Sequence, residues 1–239
     1  MARKDRPGGD DERWAARVAA LGGAVAEAPT GRGPLSVDLI VRTALVIVER
    51  EGFDALTMRR VATVLQTGPA SLYAHVQNKA DLDDLLIGHL CAGIAVPTPD
   101  AARWREQAAQ VCRDLRDRYL RYPGISRAAL SAAPHNPDTL RISEGLLAIL
   151  LAGGVSPRDA AWAIDAVLLY VAAYCFESSV RENGSGATDP AVDRRRQAMD
   201  RLAMLPPRLF PNTVAHAREL TSGEGHERFD FTLDLMLGS

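Results

Sequence analysis

The residues best suited to chemistry crowd into one stretch, LTMRRVATVLQTGPASLYAHVQNKADL at 56–82. It holds hydroxyls (Thr57, Ser71, Tyr73), an imidazole (His75), an amide (Gln66) and the cations Arg59, Arg60 and Lys79. Positions 55–80 contain no Asp or Glu, and acids return at Asp81, Asp83 and Asp84. No base stands beside a nucleophile at a catalytic spacing, so the set can donate and attract but not turn over a substrate. A patch of donors and cations without acids suits a phosphate backbone, since a duplex carries a negative charge every ~1.7 Å. Three helix N-termini expected nearby would add unpaired N–H groups and positive dipole ends.

Helical punctuation positions these groups. Thr57 is a good N-cap for a helix over 58–65, Gln66-Thr67-Gly68 a tight turn, and Pro69 a good first residue for a short helix to His75. Helix, three-residue turn, helix is a helix-turn-helix spacing, in which the second helix enters a groove ~12 Å wide. Ala70, Ser71, Tyr73, Ala74 and His75 face outward on that helix, while Leu72 and Val76 anchor it. Before it, Ser36 caps a helix to Glu51 whose inward face is Leu39, Ile40, Thr43, Ala44, Ile47 and Val48. After it, Asn78 caps a fourth helix, striped by Leu82, Leu85, Leu86, Leu90 and Ile94 and running to Val96 before Pro97.

The whole chain restricts the alternatives. Its 239 residues carry a net charge of −2, so any nucleic-acid contact is local rather than a basic coat. Strong helix formers dominate, and an all-α fold is expected. Further helices are read at about 100–122, 124–132, 137–152, 157–182, 190–204 and 224–237, with a short one within 210–220 and a flexible loop at 183–188. Cys91, Cys112 and Cys175 lack metal or redox spacing and read as buried apolar residues of a reducing cytoplasm. His75, His89, His135, His216 and His226 stand singly; no cofactor or metal is expected. The N-terminus has no apolar signal core, and the apolar run 160–176, interrupted by Asp165, reads as too short to span a membrane. Trp14, Val18, Leu21 and Val25 allow a short helix ahead of the Pro29–Pro34 break, and Arg32 stands ready for a phosphate, a minor groove or solvent. The domains expected are an N-terminal extension (1–35), a three-helix helix-turn-helix domain (36–82), a connecting helix (83–97) and a larger helical domain (98–239), to which the resemblance given below assigns effector binding and dimerisation.

The pattern LTMRRVA…SLYAHVQNKADL resembles the DNA-binding domain of the tetracycline-repressor (TetR) family of bacterial regulators. Thr57, the run Leu72-Tyr73-Ala74-His75-Val76 and the run Asn78-Lys79-Ala80-Asp81-Leu82 carry the likeness. The resemblance implies that Arg59 touches a base or phosphate, that Pro69 and Ser71 approach base edges, and that Tyr73, His75 and Lys79 hold phosphates. Apart from Arg59 and Gln66, few side chains here can bond a base in bidentate fashion, so each half-site is read with modest specificity.

The segments AAWAIDAVLLYVAAYCFES and ERFDFTLDLMLGS are similar to the tetracycline-repressor type of effector domain, whose matching helices pair into a four-helix bundle with a second subunit. The residues agree, because 160–176 are apolar all round, as are Leu233, Leu235, Met236 and Leu237 near the end. The family's tetracycline ligands sit on His, Asn and Gln side chains. The corresponding positions here are Ala95, Val111, one near Ala128, and Leu146, which points to a more apolar effector than magnesium–tetracycline. The resemblance places the pocket among Val111, Leu115, Leu146, Ile149, Ala161, Asp165 and Leu168. Asp165 needs a partner if buried; Arg113, Arg141 or a cationic group of the effector could serve.

The reading is therefore a homodimeric repressor, released from a palindromic double-stranded DNA operator by a small effector. The alternative is an activator or architectural DNA-binding protein without a functional pocket. An enzyme finds no support.

Overall fold

The computed structural model describes residues 35–131, 136–182 and 190–238, and every regular element among them is helical. Arg32, the helix expected near Trp14 and the loop at 183–188 lie outside the described residues.

Helix α1 is Val37–Glu51; a 3-10 turn, Phe53–Ala55, leads to α2, Met58–Val64, and α3, Pro69–Tyr73. Capping explains each start. The hydroxyls of Ser36 and Thr57 accept the N–H groups of Leu39 (3.2 Å) and Arg60 (3.0 Å), and Gly52, at φ +82°, closes α1. The buried face of α1 differs from the expected one: Val41 and Leu45 are buried, Leu39 is 38% exposed and Thr43 is half-buried. Helix α1 packs against both α2 and α4, Lys79–Ala92, and this sandwiched position requires a rotated, broader stripe.

Helix α4 starts at the cap Asn78, whose side chain accepts the Asp81 N–H at 2.9 Å. It stops at Ala92, four residues short of Val96, which corrects the sequence expectation. The cause is tertiary. Arg141 donates to the carbonyls of Cys91 (2.7 Å) and Ile94 (3.0 Å), and Arg118 to that of Gly93 (2.9 Å). These bonds take the terminal carbonyl groups that continued helix would otherwise claim.

The larger half contains α5 (Trp104–Leu120), α6 (Ser126–Ser131), α7 (Pro137–Ala152), α8 (Pro157–Glu182), α9 (Pro190–Ala203), two short helices α10 (Pro211–Ala215) and α11 (Ala217–Thr221), and α12 (Glu227–Met236). Helix α8 packs on α5, α6, α7 and α12; α4 packs on α5, α6 and α7. Gly88 of α4 leaves room for Asn136, which caps α7 through the Asp138 N–H (3.0 Å); a Cβ at 88 would lie 2.1 Å from the Asn136 amide. The two halves also meet at Phe53, whose N–H donates to Pro123 O at 2.9 Å, and whose ring lies under Lys79 and Arg127.

The expectation that the apolar run is too short to cross a membrane is corrected. Pro157–Val180 is long and apolar enough by length and composition. The apolarity serves packing on one side, since Ala160, Ile164, Val167, Val171 and Cys175 are buried against the chain's own core.

Candidate nucleic-acid interface and cavity

Helix α3 ends at Tyr73, two residues before the expected His75; across it and the turn that follows, Leu72 and Val76 are fully buried, while Ala70, Ser71, Tyr73, Ala74 and His75 are exposed, Tyr73 at 51%. One side of the helix therefore anchors and the other offers hydroxyl and imidazole groups outward. Pro69 opens α3 at the position where a missing N–H costs nothing. Arg59 is exposed on α2 and its guanidinium makes no ion pair among the described residues.

Arg60 is different: it is engaged with Glu51 at 2.6 Å, so one of the three cations of the stretch is already balanced. Lys79 is half-buried, pairs with Asp83 and sits 4.1 Å above the centre of the Phe53 ring. Burial pushes the Asp83 carboxyl above its ordinary value, and Lys79 partly offsets this. The Lys79 ammonium is thus already partnered. The Thr57 hydroxyl is exposed, accepting from its cap partner while its own proton remains free to donate.

Gln66 is the turn residue with a left-handed backbone, φ +53°, and the sole such non-glycine among the described residues. The turn closes with Thr67 N–H on Ala62 O (3.0 Å) and Gln66 N–H on Thr63 O (3.2 Å), a helix end that usually recruits glycine. Its exposed amide projects from the junction of the two helices.

The larger half encloses a partly open cavity of about 380 Å³. Asp84, Ile87 and Cys91 of α4 form one wall, and Leu115 and Tyr119 of α5 another. Thr139, Ile142 and Ser143 of α7 and Ala161, Asp165 and Leu168 of α8 complete most of the rest. Of the seven pocket residues expected, Leu115, Ala161, Asp165 and Leu168 face this cavity. Val111, Leu146 and Ile149 are instead buried in packing between helices. The void lies one turn later along α5 and one turn earlier along α7 than expected. The wall from α4 was missed altogether; the signal available was the i, i+3, i+7 spacing of Asp84, Ile87 and Cys91 on one face.

Two neutral groups keep their protons here. Burial pushes the Cys91 thiol up to about 11, and burial holds the Tyr119 phenol well above its ordinary value. Asp165 contradicts the expectation of an internal partner. It is exposed at the cavity edge and makes no ion pair among the described residues. Arg113 is engaged with Asp230 at 2.7 Å, and Arg141 with the end of α4.

Helix α8 has a further face. Trp162 (61%), Leu169 (58%) and Val180 (57%) are exposed, as are Phe231 (70%) and Leu235 (68%) of α12. Aliphatic and aromatic groups at this exposure form a surface that water covers at a cost.

Residues 40–83 match the family described as bacterial regulatory proteins, tetR family, and residues 96–238 the tetracyclin repressor-like C-terminal domain. The chain is similar to the HTH-type transcriptional repressor DrrR1 of Streptomyces coeruleorubidus, at 28% identity over 86% of this chain and 78% of that one. The crystal structure of the TetR family protein ActR of Streptomyces coelicolor in complex with actinorhodin is 36% identical, with a TM-score of 0.77 over 86% of this chain and 95% of that one. The crystal structure of BioQ with its double-stranded DNA operator is 31% identical, with a TM-score of 0.56 over 62% of this chain and 90% of that one.

Proposed function

The chain belongs to the tetR family of bacterial regulatory proteins, and from that premise we propose a cytoplasmic, homodimeric repressor that leaves a near-palindromic operator when a small, largely apolar molecule enters its cavity. DNA binding and response to a small molecule follow from the family and its relatives: DrrR1 is a repressor, BioQ is seen on its operator, and ActR on actinorhodin. The family points to a regulator rather than an enzyme.

The observation that carries the reading is the shared helix. Helix α4 begins with Asn78 and Lys79, behind α3, and the same helix gives Asp84, Ile87 and Cys91 to the cavity wall. A molecule filling the cavity presses on the element that seats the reading head. Such a ligand shifts DNA affinity by as much as it discriminates between the two placements of α4. The cavity volume exceeds the ~300 Å³ below which a vestigial pocket would be the better reading, so the activator or architectural alternative has less support.

On the head, Arg59, Pro69, Ser71 and Gln66 are assigned to base edges and Thr57, Tyr73, His75 and Lys79 to phosphates. The exposed apolar faces of α8 and α12 support the dimer, and a two-fold pairing would set two α3 helices about one DNA turn, ~34 Å, apart. Selection from a random duplex library tests the assignment. Enriched sequences should be near-palindromes, and Arg59→Ala and Tyr73→Phe should each weaken binding about tenfold. Enrichment of unpaired, asymmetric sites, or none, would refute it.

A further inference from the structure

Among the described residues, the charged side chains in the cavity lining are acidic: Asp84 from α4 and Asp165 from α8. Most of the wall is aliphatic or aromatic, and its remaining polar groups (Cys91, Tyr119, Thr139, Ser143) are neutral. Arg113 and Arg141 are held elsewhere, Arg113 on Asp230 and Arg141 on the carbonyls closing α4. A carboxylate at the rim of an apolar cavity is tolerated while water reaches it. It becomes costly once a ligand displaces that water, unless the ligand brings a compensating group.

We propose that the effector is an amphiphilic cation, an apolar body carrying an amine or quaternary ammonium head that lodges against Asp165. This rests on the reading of the cavity as the effector site and adds the ligand's charge to it. An anionic ligand of the same shape meets the Asp165 carboxylate, with no Lys, Arg or His among the described residues of the lining. A neutral one leaves Asp165 desolvated. A cation removes that cost and adds attraction in a wall of low polarity. Because Asp84, Ile87 and Cys91 of α4 form the facing wall, a ligand held at Asp165 bears on the helix that seats the reading head.

Three naphthalene probes of one shape test this in the full-length protein: naphthalenemethylamine, naphthalenemethanol and naphthaleneacetate, titrated at neutral pH by calorimetry. The amine should bind about tenfold tighter than the alcohol, and the acetate weakest. Asp165→Asn should bring the amine to the alcohol's affinity and leave the alcohol unchanged. Asp165→Lys should reverse the order of amine and acetate. Asp165 is exposed in the chain, so neither change places a defect in the core, and circular dichroism and sedimentation verify fold and assembly. Equal binding of all three probes, or preference for the acetate, overturns the assignment of charge while leaving the cavity as a binding site. Binding of none of them overturns both.

Discussion

The guanidinium of Arg141 donates to the carbonyl oxygen of Cys91 at 2.7 Å, and so α7 fastens the end of the helix on which the cavity and the reading head meet. The same nitrogen reaches the carbonyl of Ile94 at 3.0 Å. Thr139, Ile142 and Ser143, which line the cavity, flank Arg141 on α7, so a ligand wedged between α4 and α7 pulls against this fastening.

Arg141→Ala should therefore cost about 1 kcal/mol of stability, less than a fully buried charged hydrogen bond because the residue is exposed. DNA affinity should hold, while the loss of affinity on ligand binding should shrink several-fold. Urea unfolding and anisotropy titrations with and without ligand measure the two effects separately.

Gln66 occupies a left-handed position that glycine fills without strain. Gln66→Gly should stabilise the chain by up to about 1 kcal/mol. If the glutamine is retained for reading DNA, the same change should weaken operator binding. Opposite signs in the two assays would support its assignment to a base edge; a gain in both would remove it.

Alkaline pH gives a further check. Burial pushes the thiols of Cys91, Cys112 and Cys175 from their ordinary 9.0 up to about 11, about 12 and about 12. Below pH 9.0 each is neutral whether folded or unfolded, and its full contribution to stability is present. As pH rises through the folded values the unfolded chain sheds protons first, and that contribution is lost. Stability should fall above about pH 9, with a shallower slope in a variant carrying Ala at the three positions. Thiol reagents should be slow at neutral pH until denaturant is added. Guanidinium melts across pH and a colorimetric thiol assay read these outcomes.

The outer faces of α8 and α12 predict assembly. Leu169→Glu with Phe231→Glu should yield a monomer by sedimentation equilibrium and lower operator affinity at least tenfold, because each half-site then binds alone. The monomer should keep its helical content, since both side chains lie outside the subunit's own core.

The local physics was legible in the sequence where the cause is local. Ser36, Thr57 and Asn78 announce the starts of their helices because a cap acts on its own first turn. The outward set on α3 was legible because Leu72 and Val76 lie four residues apart and fix which side is buried. The end of α4 was not, because Arg118 and Arg141, which terminate it, lie 25 and about 50 positions away. The cavity was placed one turn off for the same reason. Periodicity shows that Leu115, Val111, Leu146 and Ile142 face inward, but not at which turn the helices diverge. Asp165 misled because a charge in an apolar run reads as buried, when here the run is apolar on its outer face as well.

The central claim is that the cavity and the reading head share one equilibrium. The direct measurement is the affinity for a selected palindromic duplex by fluorescence anisotropy, without and with saturating naphthalenemethylamine. DNA affinity should fall at least tenfold with the amine, and the DNA complex should bind the amine more weakly by the same factor. An unchanged DNA affinity in protein whose cavity is saturated would contradict it.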